Sequence, residues 1–398
     1  MRILIVSERF YPESGAAAIR LKNMLDGLKS QGNIVDVLTG LPNYPKGEIF
    51  DGYKRCLHKK EVLEGSHIYR YWCYATISPN PIKRAINMLS FAIMIWGFVF
   101  KIQTCKSYDK ILIQTPTLFV ATSALILFKY VYGKKCILNV SDIWPSTAVD
   151  MGAMRAGSLA HKVMLKCEKF LYVKSDAILG QSKEILEHIH SRFSNKSLFL
   201  YRNLQKDSNY SIMPDRQKHK TLKLVFAGML GVAQNVYEIV QKIDFSSLNV
   251  EFHIYGMGNQ YDKLLEFSKN NPNANVFVHG SVPKEEMNEV YSFVDVAIVP
   301  LCVRIYGAFP SKIYDILPMG LPILFCGDGE PAKFIMDNNI GFVSKAGDYK
   351  ALEENIIKFR DMDDDTYGNM CGNCIGLSQE ELNFETQIKD VIKFLREM

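Results

Sequence analysis

Lys312 and Asp315 stand three residues apart behind Phe309-Pro310-Ser311, a spacing suited to phosphate chemistry. Pro310-Ser311 predicts the start of a helix, whose first turn leaves backbone N–H groups free and carries positive partial charge. A lysine there opposes the helix dipole, and an anion beside it would offset the conflict. Asp315 falls one turn later on the adjoining face. A cation for a diphosphate and a carboxylate for ribose hydroxyls are together what a nucleoside diphosphate requires. Taken alone, the same pair is an ordinary surface ion pair.

Three glycine turns read the same way. Gly15 follows the first apolar run and opens a helix, so its backbone can approach a phosphate at a helix N-terminus, or it serves only tight packing. Gly228-Met229-Leu230-Gly231 through Gln234 repeats the arrangement at the start of the second half, and Tyr255-Gly256-Met257-Gly258 ends another apolar run. G-x-G-x-x-G is absent, which disfavours a nicotinamide dinucleotide. Asp142 comes just after an apolar run, where a carboxylate takes or aligns a hydroxyl proton. Its competing role is an Asx turn before Pro145.

The elements that must hold these groups follow from the apolar pattern. Hydrophobic residues at 48% and charged residues at 22% exclude a disordered chain, and scattered Gly and Pro exclude a collagen-like one. The opening Arg2–Val6 run is too short for a signal peptide and reads as a buried strand. Short β-branched runs recur at 34–38, 110–114, 136–140, 177–180 and 198–201, then at 222–226, 250–255, 276–279, 296–299 and 322–326, with helical patterns between. The fold class expected is α/β: two Rossmann-like, doubly wound domains with a cleft between them. Their expected bounds are 1–205 for the first and 206–380 for the second, with a polar linker, Pro214 included, near the boundary.

Nine irregularly spaced cysteines read as reduced thiols, and the lone Cys371-x-x-Cys374 does not make a zinc site. The only D-x-D patterns lie in the acidic run Asp361–Asp365, expected on a solvated face, so no metal or other cofactor is expected. Residues 1–200 hold 27 Lys and Arg against 15 Asp and Glu, whereas 201–398 hold 20 against 27. That asymmetry points to an anionic partner for the first half.

Taken in order, Phe10–Gly15 with Arg20, Asp142-Ile143-Trp144-Pro145, Arg202-Asn203, Gly228–Gln234, Gly256–Gly258, Pro310-Ser311-Lys312 with Asp315, and Gly320-Leu321-Pro322 resemble the retaining GT-B glycosyltransferases of family four. The resemblance is to the bacterial capsule and O-antigen branch, which includes enzymes similar to N-acetylfucosamine transferases. It implies sugar transfer from a nucleotide diphosphate sugar, a UDP-N-acetyl sugar, to a lipid-linked sugar, with no nucleic acid partner. Lys312 would then meet the donor diphosphate and Asp315 the ribose. Ser311, Gln234 and the backbones of Gly15, Gly228, Gly231 and Gly256 would line the donor site, with Val282 in a loop beside the nucleobase. Asp142 and Lys312 would be the catalytic pair. Many relatives carry two glutamates eight positions apart, where Gly307 and Asp315 stand here, and often a histidine where Ser141 stands. Residues 381–398 would form a helix returning to the first domain. A nucleotide-sugar 2-epimerase and a non-catalytic sugar-nucleotide-binding membrane partner are the alternatives.

Ala85 to Phe100 carry no charge, too few residues for a bilayer span of about 20. The run reads as apolar on all sides, either buried or dipping into a lipid interface. Basic neighbours such as Arg84 and Lys101, with Trp96 inside the run, favour a peripheral site on the anionic cytoplasmic face of the cell membrane, which would also meet the acceptor.

Overall fold

The structure is a computed structural model that describes residues 1–78, 80–206, 216–283 and 286–398, with Pro81 described by its backbone alone. Part of the expected linker, Pro214 included, lies outside the described residues. The chain forms two compact units. One comprises Met1–Lys206, Tyr306–Ala308 and Phe384–Met398; the other comprises Asp207–Ile305 and Phe309–Asn383.

The apolar runs become strands because they are buried on both faces, which favours parallel pairing under covering helices. In the first unit β1 (Arg2–Val6), β2 (Ile34–Gly40), β3 (His58–Leu63), β4 (Ser66–Tyr71), β5 (Lys110–Gln114), β6 (Lys135–Val140), β7 (Ala177–Gly180) and β8 (Ser197–Leu200) form one sheet. Its order is β3-β4-β2-β1-β5-β6-β7-β8. β1 is central, with Ile3 beside Val35 on one neighbour and Lys110 on the other. In the second unit β9 (Leu222–Ala227), β10 (Val250–Tyr255), β11 (Val276–Gly280), β12 (Val296–Pro300), β13 (Ile323–Cys326) and β14 (Gly341–Ser344) run in the order β11-β10-β9-β12-β13-β14. In each sheet the first strand sits where the order reverses, and ligands of such sheets bind beyond the carboxyl ends at that point.

One pair departs from the parallel pattern. β3 and β4 form an antiparallel hairpin at the edge of the first sheet, turned by Glu64 and Gly65, both at positive φ. β3 alternates exposed and half-buried residues, so its charged His58-Lys59-Lys60-Glu61 is compatible with an edge position.

The helix after β1 spans Ala16–Ser30 and ends at Gly32, whose φ of 77° suits the left-handed stop. Against it packs the helix Phe384–Glu397, which buries Phe384, Ile388, Val391, Ile392 and Leu395. Gly27 makes the close approach possible, since a Cβ there would sit 2.6 Å from the Ile388 side chain. Gln387 clamps the return by accepting from Arg202 N–H at 2.8 Å and donating to its carbonyl at 3.0 Å. The Phe394 ring lies 5.2 Å from that of Phe199, tilted by 38°.

Candidate functional site

In the second unit the site grows from the carboxyl end of β9. Lys312 begins a helix of five residues, Lys312–Ile316, behind Ser311 at the cap position. Its side chain reaches back across the sheet end, and its ammonium donates to the Ala227 carbonyl and lies 5.7 Å from the Phe226 ring centre. Burial pushes that ammonium down to about 8, and the Asp315 charge acts in the opposite direction. Lys312 and Asp315 are both half-buried rather than a solvated surface pair.

Gly228 follows at φ 154°, and a Cβ there would overlap the Lys312 ammonium. Gly256, at φ 147°, lets its own backbone close on the Gly228 carbonyl. The turns are laced together: Gly228 N–H donates to Tyr255 at 2.8 Å, Leu230 N–H to Met257 at 3.0 Å and Gly256 N–H to Gly280 at 2.6 Å. The Gly228 and Gly256 amides thus bond within the fold, and both glycines make room, for Lys312 and for each other. Gly231 lies further along the turn, near Gln234, whose carbonyl accepts from Cys302.

These contacts separate two glycines that look alike in the sequence. Gly228→Ala should lower the melting temperature by several degrees, because the methyl displaces the ammonium and strains the backbone. Gly231→Ala meets the flexible Gln234 amide, at 2.8 Å, and should melt within about two degrees of wild type. Calorimetric melting of both variants checks the contrast.

At the end of β11, His279 stacks on Tyr255 with ring centres 4.3 Å apart and hydrogen-bonds His253 at 3.1 Å. Val282 is half-buried against the core of this unit, and the two residues after Pro283 lie outside the described residues.

In the first unit Gly15 caps the helix Ala16–Ser30, which has neither a side-chain cap nor an acid in its first turn. Gly15 has an ordinary extended φ of −72°. What suits a glycine here is the Tyr44 ring, 3.1 Å from where a Cβ would stand. Asp142 is half-buried just beyond β6, with the Ser141 hydroxyl 3.1 Å from Oδ2. Its charge acts on Arg20, whose guanidinium is lowered by burial and raised by Asp142 and Tyr201. Arg20 Nη1 donates to Gln181 at 3.2 Å. That Asp142 lies close enough for its charge to act on Arg20 is a feature that motif reading missed, because the two come from a helix and a strand end far apart in the chain. Gly307 belongs to this unit too: its N–H donates to Glu184 at 2.8 Å and its carbonyl accepts from Ser182.

The run after Arg84 is a helix, Pro81–Met94, continued by a 3-10 turn, Ile95–Phe100. It is not apolar on all sides in the same environment. Phe91, Ala92, Ile95 and Phe98 are buried, while a second apolar row is exposed. Trp96 is tied to the protein, its indole N–H donating to Ser123 at 2.8 Å, and Lys101 is half-buried near the Tyr69 ring.

Two Rossmann-like units with charged groups and glycine turns at the ends of their parallel strands define the GT-B fold. Residues 221–361, which contain the Gly228 turn, Lys312 and Asp315, match the sequence profile of glycosyl transferases group 1. Among curated proteins, the chain is 23% identical over 314 residues to the glycosyltransferase WbjE of Pseudomonas aeruginosa, covering 73% of this chain and 77% of that one. It is 28% identical over 158 residues to the colanic acid biosynthesis glycosyl transferase WcaI of Escherichia coli K12, covering 39% of this chain and only 38% of that relative. Among solved structures, HepE of Anabaena in complex with UDP-glucose superposes with a TM-score of 0.66 over all of both chains at 12% identity.

Proposed function

We propose that this protein is a glycosyltransferase of bacterial surface polysaccharide assembly, moving a sugar from a nucleotide diphosphate sugar to a lipid-linked saccharide with retention of configuration. The observation that carries the reading is the Lys312 ammonium, partly desolvated among glycine turns at the carboxyl end of β9. Such a cation is poorly solvated until a diphosphate supplies the opposite charge. Asp315 beside it is the carboxylate that would accept from the ribose hydroxyls.

In this reading the bond between the anomeric carbon and the diphosphate breaks as the acceptor hydroxyl forms the new glycosidic bond on the same face. Lys312 stabilises the negative charge that develops on the leaving phosphate. Asp142 takes or aligns the hydroxyl proton, with the Ser141 hydroxyl bonded to its Oδ2 and the Arg20 charge acting nearby. Nothing in this scheme requires a divalent ion, so EDTA should leave the rate unchanged. Gly307, which bonds Glu184 within its own unit, leaves donor-sugar hydroxyls to other groups.

Donor affinity should depend on pH in one direction. Below about 8 the free protein holds Lys312 charged, and above it the cation is lost, so UDP affinity falls toward ten-fold per pH unit. Titrations between pH 7 and 9 test this, and Lys312→Arg, which keeps its charge throughout, should flatten the profile. The function itself is tested by incubating purified protein with labelled UDP-sugars, with and without membrane lipid extract. Transfer to lipid that keeps the donor's anomeric configuration by NMR is expected. Conversion of the nucleotide sugar without acceptor would favour the epimerase, and inversion would overturn the retaining mechanism.

A further inference from the structure

The helix Pro81–Met94 starts where Asn80 caps it, its Oδ1 accepting from the N–H groups of Ile82 and Lys83. One face packs on the helix Leu118–Leu125 and seals Phe91, Ala92 and Ile95 into the core, with Phe98 of the following turn. Among the described residues the opposite face has no comparable cover. Ile82, Ile86, Leu89 and Ile93 recur at steps of four, three and four, one continuous row on the helix surface, and Phe100 stands exposed at the end of the 3-10 turn. Ile82 is 71% exposed, Ile93 68% and Phe100 86%. A row this long and this apolar marks a contact surface in a soluble domain.

Charge decides what it contacts. Between Glu64 and Asp142 the chain holds nine Lys and Arg and a single acidic residue, Asp109. Lys83 and Arg84 stand exposed at the start of the row and Lys106 stands exposed past its end. The helix Leu159–Lys174, packed on Leu118–Leu125, adds exposed Lys162, Lys166 and Lys169 to the same layer of helices. A second copy seated on this row across a two-fold axis would bring like charges together. An anionic bilayer would neutralise them while its acyl boundary accepts the apolar row. A helix with one face fixed in a protein core lies along a bilayer and does not cross it.

We infer that Ile82–Phe100 is an interfacial helix that seats the first unit on an anionic membrane. Ile86, Ile93 and Phe100 enter the lipid boundary while Lys83, Arg84 and Lys106 meet headgroup phosphates. The inference extends the lipid-linked acceptor proposed above, but its test needs neither donor nor acceptor, so each can fail alone.

The full chain is sedimented with vesicles of phosphatidylcholine containing about one-third phosphatidylglycerol, or of phosphatidylcholine alone. Wild type should bind the anionic vesicles at low salt and be released at high salt. Ile86→Gln/Ile93→Gln/Phe100→Gln alters only exposed side chains and should partition at least ten-fold less while melting as wild type does. Lys83→Glu/Arg84→Glu/Lys106→Glu should lose about a hundred-fold on anionic vesicles, near five-fold per cation, and little on neutral ones. Light scattering should give the same mass for wild type and the glutamine variant. Wild type left in the supernatant, or unchanged binding by the glutamine variant, overturns the inference. So does a wild-type dimer that the glutamine variant splits, which would assign the row to a second copy.

Discussion

Lys312→Met should leave a protein that melts at a higher temperature than wild type and transfers almost no sugar. Both halves of that result come from one desolvated ammonium. In the folded chain Lys312 sits at about 8 against an ordinary 10.5, so folding disfavours its charged form. At pH 7 this costs at most roughly 3 kcal/mol, and the lost bond to the Ala227 carbonyl offsets about 1 kcal/mol of what methionine gains. A net gain of about 1–2 kcal/mol should raise the melting temperature by several degrees. The sign reverses with pH. The penalty is fully present below about 8 and gone once pH passes the unfolded value of about 10.5, so the stabilisation by methionine should vanish there. Turnover moves the other way, because a charge that meets the leaving diphosphate contributes about 3–4 kcal/mol in the transition state, or 10²–10³-fold in rate. Calorimetric melting at pH 7 and at alkaline pH, beside turnover of the same preparation, checks both. Turnover near that of wild type would remove Lys312 from the reaction.

Asp142→Asn should lower transfer by about 10²-fold with UDP affinity unchanged. The substitution is isosteric and lies in the other unit from Lys312, so the donor diphosphate keeps its partner. Arg20 loses its facing charge, and a modest fall in melting temperature of a few degrees should accompany the loss. Turnover at saturating donor, together with a separate UDP titration, distinguishes the roles. If UDP affinity falls in step with turnover, Asp142 supports the fold and the proton passes elsewhere.

The strands that line the two sites were legible because parallel strands buried on both faces leave short, uninterrupted apolar runs such as Ile3–Val6 and Leu222–Phe226. The hairpin of β3 and β4 was not, since an edge strand such as His58–Leu63 needs no buried row. β14 also escaped notice, for Gly341–Ser344 has only two apolar residues. At the site, Lys312 and Asp315 could be read from their spacing within one helix. What Lys312 touches could not: the Ala227 carbonyl and the Gly228 turn arrive from another strand, and Arg20 meets the charge of Asp142 only through the sheet order. The apolar run after Arg84 misled in a different way. Composition gave it one character all round, whereas the backbone gives it two faces, one sealed by Phe91 and Ile95 and one lined by Ile93 and Phe100.

The return of Phe384–Glu397 to the first unit sets an order on biosynthesis. The face of Ala16–Ser30 around Gly27 leaves the ribosome about 360 residues ahead of its cover, Ile388 and its neighbours. At about 5–20 residues per second, the intervening chain keeps that apolar face open for tens of seconds. The first unit therefore closes only after the second has been synthesised, and during that interval its uncovered helix is the natural target for a chaperone.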